Sequence, residues 1–308
     1  MDYIISASTD IGIKKDTNQD GLLVKSFNTK YGKMVFAVLC DGMGGLAKGE
    51  IASSETTRAF DDWFCRSLPS LLSEKIEDSL IRQQWSDIVR IQNERIKKYS
   101  NSLNLNMGTT VVAGLFTQNR IFVMNVGDSR AYEIKFGVRQ ITKDHTVVND
   151  EVEKGILTPE QAKNDPRRNV LLQCIGASEN VYPGFYFEEA KSDAVYMLCS
   201  DGFIHEITEN EIFNVMKPAN KFNTGKLAEA DYGSETTVLN GYNSDETTVL
   251  ANGYSEETTV LANSYNEETT VLSYNYAENN FNSKDQLANA GIVVEDEIIF
   301  VHSNERID

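Results

Sequence analysis

Two apolar runs joined by a very short connection constrain the fold of this chain most. Residues 110–116 and 121–126 have the length and apolar content of buried strands, and the turn between them is centred on Gln118-Asn119. A third run, residues 131–134, follows after an equally short turn at Gly127-Asp128. Because such short connections join antiparallel neighbours, the pattern argues against a doubly wound parallel sheet. It favours an antiparallel β-sandwich flanked by helices.

The remaining periodic segments fit the same α+β class. Residues 34–40 and 195–199 are apolar runs bounded by Gly, Asp and Asn, as strand ends are. Residues 49–64 are compatible with a helix. A second, longer helix is predicted by apolar residues at three- to five-residue steps, which share roughly one face. These positions are Ile76, Leu80, Ile81, Trp85, Ile88, Ile91 and Ile96.

The C-terminal third contains a regular repeat. Glu-Thr-Thr-Val-Leu occurs at 235–239, 246–250, 257–261 and 268–272, with a period of 11 residues. Residues 227–283 contain 10 Asp and Glu residues and no Lys or Arg, so they supply −10 of the net charge of −17. Such short acidic units bury little surface. We therefore predict a body at 1–231, a low-complexity, disordered repeat insertion at 232–282, and a segment at 283–308 whose apolar part, 291–302, returns to the body as a strand or hairpin.

Composition also excludes some classes of protein. A chain with a net charge of −17 lacks the basic footprint of a nucleic-acid-binding protein. No apolar run is long enough to span a membrane, and the first residues do not resemble a secretory signal. The cysteines are far apart and form no C-x-x-C pair, so we expect reduced core thiols in a cytoplasmic protein. They are Cys40, Cys65, Cys174 and Cys199.

Aspartates next to glycine follow several of the predicted strands. Asp41, Asp128 and Asp201 each come at or near the end of an apolar run, and Asp20 follows Asn18-Gln19. Asp beside Gly is also common in ordinary turns. The argument for a metal site therefore depends on several such aspartates in a fixed order and not on any single one. Carboxylates are the ligands that Mg²⁺ and Mn²⁺ prefer. With three histidines and no His/Cys cluster, a zinc site is disfavoured.

Seven short motifs, in this order, resemble those of the metal-dependent protein phosphatases of type 2C, over about residues 3–215. Each is weak by itself, and the ordered set is specific. They are Thr9-Asp10-Ile11-Gly12 with Asn18-Gln19-Asp20; Cys40-Asp41-Gly42-Met43-Gly44-Gly45; Met107-Gly108-Thr109-Thr110; Asn125-Val126-Gly127-Asp128-Ser129-Arg130; Ile141-Thr142-Lys143-Asp144-His145; Asn169-Val170-Leu171-Leu172 with Ile175-Gly176; and Cys199-Ser200-Asp201-Gly202-Phe203.

The resemblance implies a sandwich of two antiparallel sheets with helices on both outer faces. It also implies hydrolysis of phosphoserine and phosphothreonine in proteins by a water held between two Mg²⁺ or Mn²⁺ ions. By position, Asp41 would bridge the two ions, assisted by the Gly42 carbonyl, and Asp20 and Asp201 would complete the cluster. Asp128 and Asp201 resemble the pair that holds a third, weaker ion. Residues 151–166 resemble the family's flap beside the active site.

Two positions depart from the family pattern. Lys15 stands where an Arg usually binds the substrate phosphate, so the charge is kept but the bidentate fork is lost. No Asp-Asn pair follows Asp201, and Asp285 or Glu235 are the candidates for the last metal ligand. The alternatives to an active enzyme are a pseudophosphatase and a scaffold that keep the fold. His145 is interpreted as a structural or flap-supporting residue.

The first threonine of each repeat follows an acidic residue and precedes a Leu three positions later. This pattern resembles a site for a serine/threonine kinase, read afterwards by a forkhead-associated domain. The alternatives are an acidic solvating linker and short strands formed by the Thr-Thr-Val-Leu units. The predicted phosphorylation sites are Thr236, Thr247, Thr258 and Thr269.

Overall fold

The computed structural model describes residues 2–9, 17–44, 48–73, 76–218, 250–251, 272–273 and 298–304. The strands are β1 (Asp2–Ser8), β2 (Gly21–Thr29), β3 (Gly32–Cys40), β4 (Gly42–Met43), β5 (Gly108–Thr109), β6 (Val111–Phe116), β7 (Arg120–Val126), β8 (Arg130–Ile134), β9 (Val138–Gln140), β10 (Gly184–Glu189), β11 (Ala194–Cys199), β12 (Leu250–Ala251), β13 (Leu272–Ser273) and β14 (Ile298–Asn304). The helices are α1 (Gly49–Arg66), α2 (Leu68–Ser73), α3 (Asp78–Ser102), α4 (Val147–Glu153), α5 (Pro159–Lys163), α6 (Asp201–Glu206) and α7 (Glu209–Met216).

Two five-stranded sheets form the centre of the molecule. One has the order β1-β14-β11-β8-β9 and the other the order β10-β7-β6-β3-β2. Every pairing within them is antiparallel. β14 lies between β1 and β11, so a strand from the C-terminal segment occupies an interior position of the first sheet. β12 and β13 pair in parallel, with Leu250 opposite Leu272, two repeats further along.

Three apolar layers hold the sheets and helices together. Along β3, Val35, Ala37 and Leu39 point into the space between the sheets. Their neighbours Met34, Phe36, Val38 and Cys40 point to the helices α1 and α3, as the two-residue period of a strand requires. The third layer packs α6 and α7 on the outer face of the other sheet. This α-β-β-α arrangement is the fold class predicted from the sequence.

An aromatic cluster fixes α1 and α3 on the second sheet. The ring of Phe36 lies 5.2 Å from that of Trp63, and Trp63 lies 5.5 Å from Trp85 in an edge-to-face contact. All three side chains are buried. The prediction that Ile91 shares this face is wrong, since 42% of Ile91 is exposed. Ile91 lies three residues after Ile88 and five before Ile96, and this spacing places its side chain on the outer side of α3.

Two further sequence predictions are corrected. The turn at Gly127-Asp128 is not a hairpin within one sheet, because β7 belongs to the second sheet and β8 to the first. Cys65 is an exposed thiol near the end of α1, not a core thiol, whereas Cys40, Cys174 and Cys199 are buried. In the described ranges no helix combines the length and apolar character needed to cross a bilayer.

Candidate active site

Asp41 directly follows β3, and two threonines fix its backbone. The Thr110 amide donates to the Asp41 carbonyl at 2.9 Å, and the Asp41 amide donates to the Thr110 hydroxyl at 3.1 Å. The Thr109 hydroxyl also donates to the Asp41 carbonyl, at 2.9 Å. Both threonines are fully buried. The direction in which the Asp41 side chain leaves the strand is therefore set by Thr109 and Thr110, where β5 leads into β6.

Gly42 brings three backbone segments into contact. Its amide donates to the carbonyl of Gln19 at 3.1 Å, and the Ser53 hydroxyl donates to the same carbonyl at 2.6 Å. A Cβ at Gly42 would overlap the carbonyl oxygens of Gln19 and Gly49. Only glycine allows so close an approach. The turn that leads to Asp20, the turn after Asp41 and the start of α1 are thereby packed together.

Asp20 enters the same region from the start of β2. It is 6% exposed, and its amide donates to the side chain of Asn18 at 3.0 Å, which closes a local turn. Because Gln19 touches Gly42, the contacts of the backbone bring Asp20 and Asp41 to neighbouring turns. The resemblance implies that these two carboxylates share a site, which stays a prediction.

Asp128 lies in the turn where the chain crosses from one sheet to the other. Gly127 has a φ of +95°, a conformation that favours glycine, and Asp128 is 8% exposed. Burial raises the pKa of Asp128 to about 8, with further contributions from the charges of Asp201, Asp41 and Asp144. Negative charge is thus concentrated at this end of the sandwich.

Asp201 is the first residue of α6 and comes two positions after the end of β11. Its charge contributes to the raised pKa of Asp128. The hydroxyl of Ser200, which precedes Asp201, is buried and has no hydrogen-bond partner among the described residues. β11 and β7 therefore bring Asp201 and Asp128 from different sheets to one site.

These carboxylates suit a divalent cation in their chemistry and charge. All donors are oxygens, and a buried carboxylate whose pKa is raised by its neighbours gains most from a cation. Within the described ranges, however, no three His, Cys, Asp or Glu side chains converge closely enough to hold a metal ion on their own. The described carboxylates therefore do not form a complete cation site by themselves.

The ion pair between Arg130 and Asp144 is a feature that sequence reasoning missed. Arg130 Nε lies 2.8 and 2.9 Å from the two carboxylate oxygens of Asp144. Gln140 donates to the same carboxylate at 2.8 Å, and Arg130 Nη1 donates to the Tyr132 hydroxyl at 2.8 Å. The sequence does contain one signal for this pair, because Arg130 and Asp144 both lie in the ordered family motifs.

His145 supports the Asp128 turn. Its amide donates to the Gly127 carbonyl at 2.9 Å, and its Nδ1 accepts from the Gly127 amide at 3.2 Å. The side chain of Gln173 lies 2.8 Å from the same Nδ1. Burial lowers the pKa of His145, against the opposing charges of Asp144 and Glu153. This geometry fits the structural role that the sequence predicted.

Residues 151–166 comprise the end of α4 and the whole of α5. The α5 segment begins with a capping box between Thr158 and Gln161. Arg167 closes the region by pairing with Glu151, at 2.9 and 2.8 Å, and with Asp165. The resemblance to a flap beside the active site stays a prediction.

Several predicted site residues lie outside the described residues. They are Lys15, Glu235, Asp285, and the four repeat threonines Thr236, Thr247, Thr258 and Thr269. The boundaries at 231, 232–282 and 283–308 likewise stay predictions, although β14 falls in the last of these segments.

Comparisons with known proteins agree with the motifs. The family model described as Protein phosphatase 2C matches residues 13–172. The serine/threonine phosphatase stp of Listeria monocytogenes serotype 4b (strain F2365) is 33% identical over 212 residues, 68% of this chain and 81% of that protein.

Two solved structures extend the comparison. Serine/threonine phosphatase Stp1 from Staphylococcus aureus superposes with a TM-score of 0.65 at 24% identity, covering 99% of this chain and 96% of that one, a likeness of fold. The catalytic domain of the serine threonine protein phosphatase PstP, in complex with 2 manganese ions, gives a TM-score of 0.54 at 30% identity, covering 69% of this chain and 84% of that one.

The family match covers more than half of the chain and contains Asp20, Asp41, Asp128 and Asp144. It confirms the resemblance inferred from the ordered motifs, and the sandwich architecture agrees with it. The chain is a protein phosphatase of the protein phosphatase 2C family.

Proposed function

We propose that this chain hydrolyses phosphoserine and phosphothreonine in proteins with the help of two Mg²⁺ or Mn²⁺ ions. The observation that carries the proposal is that hydrogen bonds bring the turns of Asp20, Asp41 and Asp128 together at one end of the sandwich. Burial, and after it the charges of Asp201 and Asp41, raise the pKa of Asp128 there. Such an arrangement is costly unless a cation offsets the charge. The two manganese ions of PstP support the choice of metal.

The ligand roles are assigned by position. Asp41 would bind both ions, with the Gly42 carbonyl assisting, and Asp20 and Asp201 would complete the cluster, partly through waters. Asp128, with Asp201, would hold a third, weaker ion. Asp285 is the proposed last ligand, with Glu235 as the alternative. Such cations, when bound, supply an activated water and offset the charge of the phosphoryl oxygens.

The chain's own residues contribute orientation and charge. Thr109 and Thr110 hold the Asp41 backbone. Arg130 pairs with Asp144 and offsets part of the negative charge of this carboxylate next to the site. Lys15 would bind the substrate phosphate as a point charge. Phosphoproteins are the substrates, and the lack of a disulfide among the described cysteines suits action in the cytoplasm.

The direct experiment is a phosphatase assay of the full chain on phosphoserine and phosphothreonine peptides. Hydrolysis should require Mn²⁺ or Mg²⁺ and stop when a chelator is added. If the chain binds phosphopeptide at saturating metal but does not hydrolyse it, the chain is a pseudophosphatase. The motive for this alternative is that no Asp-Asn pair follows Asp201. Partner capture that depends only on the repeats would identify the scaffold.

We further propose that the repeats are phosphorylated by a serine/threonine kinase and bound by a forkhead-associated domain. The first threonine of each repeat follows an acidic residue and is followed by Leu at the third position after it. A phosphate adds about −1.5 to −2 charges, which an Arg-bearing pocket pairs well. Four copies at a fixed spacing raise the effective concentration for binding.

Mass spectrometry after incubation with the kinase tests the repeat proposal. Phosphate should be found on the first threonine of each repeat, and the fourfold Thr→Ala variant should lose binding to the forkhead-associated domain. The matched control replaces the second threonine of each repeat and should bind normally. Equal capture of both variants would show that the repeats act as an acidic linker. The four control positions are Thr237, Thr248, Thr259 and Thr270.

A further inference from the structure

The hydroxyl of Thr110 links the two sheets at the carboxylate site. It accepts the Asp41 amide at 3.1 Å and lies 2.6 Å from the hydroxyl of Ser129. Asp41 directly follows β3 of the second sheet, while Ser129 directly precedes β8 of the first. Ser129 is also the residue after Asp128. One oxygen atom therefore joins the turn of Asp41 to the turn of Asp128.

Burial makes this link costly to break. Thr110 is 1% exposed and Ser129 is fully buried, so water cannot easily replace either partner. A hydroxyl has one proton and two lone pairs, which lets it accept from Asp41 and still bond Ser129. If the Thr110 oxygen is removed, the Asp41 amide and the Ser129 hydroxyl both lose a partner.

The methyl group of Thr110 has a separate contact. A Cβ at Gly127 would come within 2.6 Å of Thr110 Cγ2, so the methyl packs directly against the Gly127 backbone. Valine keeps this methyl contact and the volume of the side chain but loses the oxygen. Serine keeps the oxygen and loses the methyl. The two substitutions thus separate hydrogen bonding from packing at one position.

We propose that Thr110 is a positioning residue whose hydroxyl fixes the separation between the Asp41 turn and the Asp128 turn, and thereby sets the affinity of the site for divalent cations. The inference deepens the proposed function and rests on its assignment of these carboxylates to cations. The Asp41 turn follows β3 and the Asp128 turn follows β7, two strands that β6 separates in the second sheet, and this hydroxyl joins the two turns directly.

The test measures Mn²⁺ binding by calorimetry on the full chain, with hydrolysis as a second readout. Thr110→Val should weaken Mn²⁺ binding about tenfold, because the Asp41 amide and the Ser129 hydroxyl both lose a buried hydrogen-bond partner. Thr110→Ser should bind Mn²⁺ within about threefold of the wild type, since the hydroxyl is kept. Ser129→Ala, which removes only the far end of the link, should give an intermediate loss.

Thr117 provides a matched control at the opposite end of β6. Its hydroxyl donates to the Arg120 carbonyl and accepts the Arg120 amide, both at 3.0 Å, in the β6–β7 turn. Thr117→Val also removes buried threonine hydrogen bonds and should lower stability, yet it should leave Mn²⁺ affinity unchanged. Thr56→Val is a second control, since the Thr56 hydroxyl has no hydrogen-bond partner among the described residues.

The outcomes separate the inference from the proposed function. Wild-type Mn²⁺ affinity in Thr110→Val, or an equal loss in Thr110→Ser, would overturn the inference. If Thr110→Val does not fold, wild-type affinity in Ser129→Ala would overturn it. Mn²⁺ binding without hydrolysis by the wild type would overturn only the proposed function. A wild type that binds no Mn²⁺ would overturn both.

Discussion

Arg130 and Asp144 form a nearly buried bidentate ion pair next to the site, with Nη2 and Oδ2 2.5 Å apart. The side chain of Asp144 is only 10% exposed. Since the charge of Asp144 also contributes to the raised pKa of Asp128, the pair connects fold stability to the electrostatics of the site.

Arg130→Met should therefore destabilise the protein. It leaves Asp144 as an uncompensated, mostly buried charge, which costs about 3 kcal/mol. Chemical denaturation monitored by tryptophan fluorescence measures the free energy of unfolding. Arg90→Met is the control, since Arg90 is 59% exposed and pairs only on the surface of α3, where the cost is at most about 0.5 kcal/mol. Equal losses in the two variants would contradict the role assigned to Arg130.

Asp128→Asn should stabilise the protein when a chelator is present. The pKa of Asp128 rises from 3.8 to about 8 in the fold. The folded state therefore disfavours the charged carboxylate, and this cost is absent below pH 3.8 and grows as the pH rises toward 8. At pH 7.5 the neutral amide should raise the free energy of unfolding by roughly 1–3 kcal/mol. The same substitution should weaken the binding of Mn²⁺. A free energy of unfolding equal to that of the wild type at both pH 4 and pH 7.5 would contradict the prediction.

His145 should make the protein sensitive to mild acid. Burial lowers its pKa below the ordinary 6.5, and its Nδ1 accepts the Gly127 amide, which requires the neutral ring. Because the folded pKa lies below the unfolded one, the contribution of His145 to stability is present above pH 6.5 and declines as the pH falls below that value. His145→Gln should show a smaller loss between pH 7.5 and pH 5 in urea denaturation. An identical pH dependence in the variant would exclude His145 as the source.

Asp41→Ala and Asp201→Ala should each reduce turnover by at least about a hundredfold without loss of the fold, because each removes a proposed cation ligand. Steady-state hydrolysis at micromolar Mn²⁺ measures the effect, and circular dichroism monitors the fold. Asp62→Ala, on the exposed side of α1, should retain activity. Turnover by Asp41→Ala at the wild-type rate would remove Asp41 from the proposed mechanism.

Lys15→Arg should lower the KM for phosphopeptides by roughly two- to fivefold, because a planar fork replaces a point charge at the phosphate. The kinetics are measured at saturating Mn²⁺, so that metal binding does not limit the result. Lys33→Arg, in a strand of the second sheet away from Asp41, is the control. If Lys15→Arg leaves KM unchanged or raises it, Lys15 does not face the phosphate.

The linear sequence determined the class of fold and the family. Apolar runs between Gly and Asp located strands such as β3 and β11, because a buried strand needs a continuous apolar run whose ends return to polar turns. The ordered motifs placed Asp20, Asp41 and Asp128 in the family pattern. These features depend on local sequence, so they could be predicted without the fold.

Tertiary structure alone decided how these pieces meet. The turn at Gly127-Asp128 crosses between sheets instead of closing a hairpin, because β8 pairs with β11 and not with β7. The link from Thr110 to Ser129 and the pair of Arg130 with Asp144 depend on that crossing. Local sequence predicts where each strand lies along the chain. Contacts between residues 14 and 19 positions apart in sequence form only when the sheets pack against each other.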